Sequence, residues 1–187
     1  MSLTLEFVST LRAERSGLVD RLADPDGMTA WVRTHVPDLA DLTVTEELRQ
    51  ETVRLRQAVR ALFARAVAPG PPSRADAASL PAFEESLALV NATALAAPTA
   101  PQLRWDGEPS LDTAPATQAG PGAQLLARLA TAAVEFLAGP DRALVRTCQA
   151  PRCVLYFVKE HPRQEWCSTG CGNRARAARH YREHKKI

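Results

Sequence analysis

All four cysteines of this 187-residue chain fall within its last forty residues. Cys148, Cys153, Cys167 and Cys171 follow the pattern C-x(4)-C-x(13)-C-x(3)-C, two close pairs separated by a loop long enough to fold back on itself. That is metal-ligand spacing: zinc takes four soft or borderline donors in a tetrahedron, and two pairs joined by a hairpin supply them with little chain to close. Two disulfides would use the same residues. The chain opens MSLTLEF, without the basic start and apolar core of a secretion signal, so the expected compartment is a reducing cytosol, where structural disulfides are rare. Unrelated buried cysteines would scatter along the chain. Metal is therefore preferred over a redox pair or coincidence.

The ligand set is a narrower question. His180 and His184 stand four apart on an expected helix, which is also zinc spacing, and His161 lies in the loop between the pairs. At 100° per residue from Cys171, Ala175 and Ala178 fall on the cysteine's side of that helix, and His180 and His184 fall opposite. Four thiolates are thus a better set than any mixture with histidine. The same angles place Arg174 on the side of Cys171, where a structural role is expected, hydrogen bonding to carbonyls or carboxylates of the body.

These residues carry a resemblance. Trp166-Cys167-Ser168, followed by Cys171-Gly172-Asn173-Arg174 and the run to His180, resembles the CGNR-type zinc finger. Cys148 and Cys153, with Ala150-Pro151 between them and Phe157 after, resemble its first knuckle. Upstream, Phe7 to Leu11, the segment Leu48 to Phe63, Asn91-Ala92 and Pro101 to Asp106 are similar to the alanine-rich ABATE domain that accompanies this finger. The resemblance implies a bacterial DNA-binding transcription regulator. It divides the chain into a helical ABATE-like domain, 1–140, and a zinc-finger domain, 141–187.

Charge follows the same division. From Cys148 onward there are 9 Lys and Arg against 3 acidic residues, whereas residues 1–147 carry 14 against 18, so a basic tail follows a mildly acidic body. Such an asymmetry directs a polyanion to the tail. Arg176, Arg179 and His180 are expected on the outward face of the last helix, with Arg182, Lys185 and Lys186 crowding its end. These cations would meet phosphates, and sequence preference would need base contacts from Asn173, Arg176 or Arg179. The bland alternative is a solvated helix end whose cations suit the dipole.

The remaining chain reads as mainly α: a multi-helix orthogonal bundle with a small β-hairpin, followed by a treble-clef-like zinc finger. Residues 2–14 suggest a first helix, and Asp24-Pro25 starts another to about His35. Thr45 caps a long helix, Glu46 to Ala68, with Leu48, Thr52, Leu55, Val59, Leu62 and Ala66 on one face. Pro69-Gly70-Pro71-Pro72 breaks the chain. Phe83, Leu87, Val90 and Ala94 mark a helix ending before Pro98, and Leu103–Trp105 can pair with Leu111–Thr113 across Gly107. Ala123 to Leu137 is helical, with Leu125, Leu129, Ala132 and Phe136 aligned, and a short turn from Asp141 delivers Cys148. In the tail, Val154 to Val158 reads as one arm of a hairpin with Gln164 to Trp166 as the other. Trp31, Trp105 and Trp166 are expected in core or hairpin packing.

Arg128 and Glu135 interrupt the longest apolar stretch, so no membrane span is expected, and the chain reads as a cytoplasmic protein with no membrane partner. Nucleotide-binding glycine motifs, the G-x-S-x-G elbow and H-E-x-x-H are missing, and a four-thiolate zinc keeps no open position, so no enzyme is expected. Two readings stay open. One is a DNA-binding regulator whose body senses a small-molecule ligand or forms a homodimer. The other is a zinc-stabilised interaction module whose basic helix contacts an acidic protein partner.

Overall fold

The long central helix organises the rest. In the computed structural model, which describes residues 2–14, 17–76 and 80–184, the helices are α1 (Leu3–Val8), α2 (Pro25–His35), α3 (Glu46–Ala66), α4 (Phe83–Ala96), α5 (Pro121–Ala138) and α6 (Thr169–His184). Strands β1 (Leu11–Glu14) and β2 (Gly17–Asp20), β3 (Thr99–Asp106) and β4 (Glu108–Pro115), and β5 (Val145–Thr147) and β6 (Tyr156–Val158) form three antiparallel pairs. The protein is mainly α. The expected caps are in place: the Asp24 carboxylate accepts the Gly27 N–H at 2.7 Å, and the Thr45 hydroxyl accepts the Leu48 N–H at 3.2 Å. Among the described residues no helix is long and apolar enough to cross a membrane.

α3 buries the face its spacing predicts, Leu48, Thr52, Leu55, Val59 and Leu62, against α1, α4 and α5. Phe7, Trp31, Phe63, Leu125, Leu129 and Phe136 fill the space around it. Phe63 stacks on Phe136 with ring centroids 5.3 Å apart, and Tyr156 of β6 meets the same ring edge-on at 5.3 Å. The first strands of the cysteine-rich segment therefore share the core of the body.

Several expectations need correction. The first helix stops at Val8 instead of running to residue 14: the Thr10 hydroxyl bonds the Phe7 carbonyl at 2.8 Å, a local side-chain bond that competes with helix, and Leu11–Glu14 then pairs with Gly17–Asp20. α4 places Val90 in the core and Ala94 against it, as expected, but buries Ser86 as well and leaves Phe83 and Leu87 41% and 38% exposed. Its apolar residues occupy more than one side, so spacing alone does not choose among them. Strands β3 and β4 form the expected hairpin across a positive-φ Gly107, but the register is shifted by two residues: Leu103–Trp105 faces Pro109–Leu111, with Leu103 opposite Leu111, and Thr113 faces Pro101 in a hairpin that is longer than expected and largely exposed. Trp105 at its tip is 72% exposed, not packed.

Two arginines of α3 are fully buried, which the helical stripe did not show. Arg56 grips the Asp20 carboxylate with bonds of 2.5 and 2.6 Å and donates to the Thr10 hydroxyl at 2.9 Å. Burial pushes the Asp20 pKa up, but hydrogen bonds and charge from Arg56 outweigh it and leave it below the ordinary carboxylate value. A carboxylate depressed in the folded state adds stability above its unfolded pKa, about 3.9, and that stability is lost as pH falls through the lower folded value. Asp20→Asn should therefore be less stable than the parent at pH 7. The difference should shrink below about pH 4, as read by paired urea melts. A gap that stays constant down to pH 2.5 would assign the loss to shape rather than charge.

Candidate metal centre and basic helix

β5 and β6 run antiparallel, Val145 opposite Val158 and Thr147 opposite Tyr156, so the chain between them is forced into a tight reversal. This reversal is the first knuckle. The Cys148 N–H donates to the Leu155 carbonyl at 3.0 Å, the Cys153 N–H to the Ala150 carbonyl at 3.0 Å, and Arg152 takes a left-handed φ of 63° to close the turn. The strand partner differs from expectation. Tyr156–Val158 pairs with the residues before Cys148, not with Gln164–Trp166. Val145 and Thr147 are β-branched and lie across a short reversal from β6. The Gln164 side chain instead fastens the loop to Trp166, accepting the Glu160 N–H at 2.7 Å and donating to the Trp166 carbonyl at 3.3 Å.

The second pair is set by the start of α6. Ser168 lies just before the helix and its hydroxyl accepts the Cys171 N–H at 3.2 Å, which fixes Cys171 in the first turn, where the helix dipole favours a thiolate. Gly172 follows, and Trp166 packs close to it: a Cβ there would come 3.1 Å from the indole ring, which would have to shift by a few tenths of an ångström.

The four sulfurs converge. Cys153 and Cys167 are 3.7 Å apart, Cys167 and Cys171 3.4 Å, and all four lie within 4.8 Å of one another, three of the residues buried and Cys167 half-buried. All four cysteines are free thiols. A zinc–sulfur bond of about 2.3 Å implies tetrahedral sulfur–sulfur edges of about 3.8 Å, so the cluster fits one zinc ion. Without a cation, the clustered thiols share protons. Hydrogen bonds from the Cys153 and Cys167 thiols hold Cys148 down to about 2, whereas Cys153, donating to Cys148, is pushed up to about 11. Cys167 is raised as well, first by its bonds to Cys148 and Cys153. A divalent cation replaces these shared protons with four metal–thiolate bonds.

Arg174 supplies charge beside the cluster. Its guanidinium donates to the Cys171 sulfur at 2.9 Å, so its partner is a ligand atom itself, where a carbonyl or carboxylate of the body was expected. His161, His180 and His184 are exposed and away from the sulfurs, with the His180 and His184 rings stacked on each other at 4.0 Å. Asn173, Arg176, Arg179, His180 and Arg182 are all exposed on α6, and Lys185 and Lys186 lie outside the described residues. Arg176 bonds the Asn173 side chain at 2.5 Å. Arg179 does not share their face: with Arg182 it borders a groove toward the body, whose far side carries Arg74.

One buried polar cluster was not legible in the sequence. Arg60 is fully buried and bonds Asp76 at 2.7 and 3.1 Å, the Val8 carbonyl at 2.5 Å and the Val154 carbonyl at 3.3 Å. Ser73 donates to the same Val154 carbonyl at 2.8 Å, and the Tyr156 hydroxyl donates to Asp76 at 2.8 Å. Burial, with the Asp76 charge next, raises the Tyr156 pKa, so its phenol stays protonated and able to donate. The knuckle is thus bolted to α3 through Val154, next to Cys153. No local signal marks it in the sequence: Arg56 and Arg60 lie one helical turn apart on α3, but their carboxylate partners, Asp20 and Asp76, are distant along the chain.

Comparison with known families agrees with this geometry. The model of the ABATE family, described as "Putative stress-induced transcription regulator", matches residues 2–140, and the CGNR zinc finger matches residues 145–184. Among curated proteins, none matches the chain. With most of its length matched by the first and its four-thiol cluster inside the second, the chain belongs to the ABATE family and carries a zinc-binding CGNR finger.

Proposed function

We propose that this protein is a DNA-binding transcription regulator of the bacterial cytoplasm, in which the finger, 141–187, presents α6 to DNA and the helical body, 1–140, senses a ligand or mediates assembly as a homodimer. The observation that carries this reading is a helix fixed at one end by the thiol cluster and lined along its exposed length by Arg176, Arg179, His180 and Arg182, on a chain whose other residues are net acidic. We assign the body to an orthogonal helical bundle and the finger to a treble-clef outline, with knuckle, short hairpin and helix in that order.

Cys148, Cys153, Cys167 and Cys171 would hold the zinc. Bound by four thiolates it has no position left for water or substrate, so its role is to brace the tail, and no catalytic step is assigned to the chain. Arg174 balances the negative cluster through its bond to the Cys171 sulfur and belongs to the scaffold rather than the DNA surface. For sensing, a cleft of about 750 Å³ opens between the start of α3 and the start of α5, with Leu42, Leu48 and Leu126 as its floor and Asp41, Glu47 and Glu51 at its rim. An apolar ligand with a cationic end suits that lining.

Counterion release tests the DNA reading. With about four cations on phosphates, log affinity should fall with log salt at a slope near about −3.6, and replacing one contributing arginine by alanine should flatten it by about 0.9. Titration of labelled duplex at several salt concentrations measures this directly. Absence of binding at low salt would transfer the basic helix to the second reading, a zinc-stabilised module contacting an acidic protein.

A further inference from the structure

The basic residues of α6 divide into two sets that do different work. Asn173, Arg176 and His180 lie on the face turned from the cysteines, and Arg176 is engaged by Asn173. Arg179 and Arg182 border a groove of about 520 Å³ between α6 and the first knuckle, together with Arg74 from the body and the rings of Trp166 and Tyr181. Its volume lies in the range of small-ligand pockets, about 300–1,000 Å³.

Each wall of the groove has a fixed position. Arg74 donates to the carbonyls of Ala150 and Gln149 at 3.1 and 3.4 Å, which holds its cation at the rim. Arg182 bonds the Ala178 carbonyl through Nε at 3.3 Å, and its two terminal nitrogens make no hydrogen bond among the described residues. None of these three arginines is ion-paired among the described residues. Three guanidinium groups around one concavity repel one another unless an anion lies between them. Trp166 packs beside Gly172 and the thiol cluster, and Tyr181 is 75% exposed, a large ring held in water on an otherwise charged helix.

Cations alone would suit any phosphate. The rings narrow the choice, because a base in a duplex has both faces covered by its neighbours, whereas an unpaired base offers a face that stacks on an aromatic ring. We propose that this groove binds an unpaired nucleotide of a DNA single strand, its phosphate among Arg74, Arg179 and Arg182 and its base on Trp166 or Tyr181. The site rests on the DNA reading above and refines it, since a strand-opened segment would then be bound more tightly than closed duplex.

The test uses the zinc-loaded full chain and two labelled probes of equal length, an oligo(dT) of about twelve nucleotides and a duplex of about twelve base pairs, followed by fluorescence anisotropy at matched salt. The strand should bind more tightly. Tyr181→Ala should weaken strand binding about tenfold, within the range of about 1–3 kcal/mol for one stacked base. Arg179→Ala and Arg182→Ala should each flatten the strand's salt slope by about 0.7, while Arg104→Ala, an exposed arginine of the β3–β4 hairpin away from the groove, leaves strand binding unchanged. These side chains are exposed, and unchanged zinc content confirms that each variant is folded. Free thymidine monophosphate should bind at least about tenfold more weakly than the strand, for want of neighbouring phosphates. Equal binding overturns the assignment to strands. Duplex binding that is tighter than strand binding and indifferent to Tyr181→Ala and Arg182→Ala overturns the groove and leaves the DNA reading standing. Failure to bind either probe at low salt overturns both.

Discussion

Stripping the zinc with a strong chelator should unfold the tail and lower the stability of the whole chain. The tail alone has little to hold it: besides the cysteines, Ala150 and Phe157 are its buried residues in that cluster, with Leu155 and Trp166 packed alongside. Structural zinc in modules of this size contributes about 10–16 kcal/mol of apparent binding free energy, as large as the total stability of a typical domain, about 5–15 kcal/mol. Loss should not stop at the tail, because Val145 and Tyr156 belong to the core of the body. Circular dichroism should show loss of helix equivalent to α6, and the urea midpoint of the remainder should fall. Cys171→Ser should do the same without chelator. Because zinc displaces protons from the thiols, acidification should release the metal, and raising the pH should restore it. A chelated protein that keeps the helicity of α6 and its urea midpoint would show that packing, not metal, holds the tail.

Arg60→Met should be the most damaging substitution outside the cysteines. It removes one member of a fully buried pair and leaves the Asp76 carboxylate without a countercharge, together with the Val8 carbonyl without its 2.5 Å donor. Breaking such a pair from one side costs about 3–5 kcal/mol, whereas replacing both members with apolar groups of similar volume is often nearly neutral. Arg60→Met should therefore lose about 3–5 kcal/mol in urea denaturation, and the double variant Arg60→Met with Asp76→Leu should recover a good part of it. A further effect separates this site from an ordinary core position. Arg60 and Ser73 both hold the Val154 carbonyl, next to a cysteine of the cluster, so the single variant should also release zinc to a competing chelator more readily. A single variant within about 1 kcal/mol of the parent would mean that the pair contributes little beyond the packing around it.

How far the sequence reached depends on the range over which each feature is decided. The thiol cluster was readable because its spacing is a local property, and α3 because a side-chain cap and a repeating apolar face are written within 21 consecutive residues. Arg56 and Arg60 were not readable as buried, since what permits their burial is carboxylates 36 and 16 residues away, delivered by a hairpin and a loop. Short elements failed for a related reason. Leu11–Glu14 and Gly17–Asp20 have no alternation strong enough to announce strands, and they form because Asp20 has a guanidinium to reach. The partner of β6 was misread because both candidate arms are short, and the choice falls to whichever can complete a ladder. On α6 the angles separated Ala175 and Ala178 from the histidines, but they could not show that Arg74, from a distant loop, borders one groove with Arg179 and Arg182, a different surface from that of Arg176.

The three tryptophans give this chain a built-in set of optical markers. Trp31 lies in the core, 4% exposed and 5.8 Å from the Phe7 ring; Trp105 stands at the end of the long hairpin in water; Trp166 leans on Gly172 beside the thiol cluster. Each part of the molecule therefore carries one indole in a different surrounding. Versions retaining a single indole would emit from the body, the hairpin or the tail alone. Coincident transitions from all of them would describe one cooperative unit, and an early change confined to Trp166 would describe a tail that melts on its own.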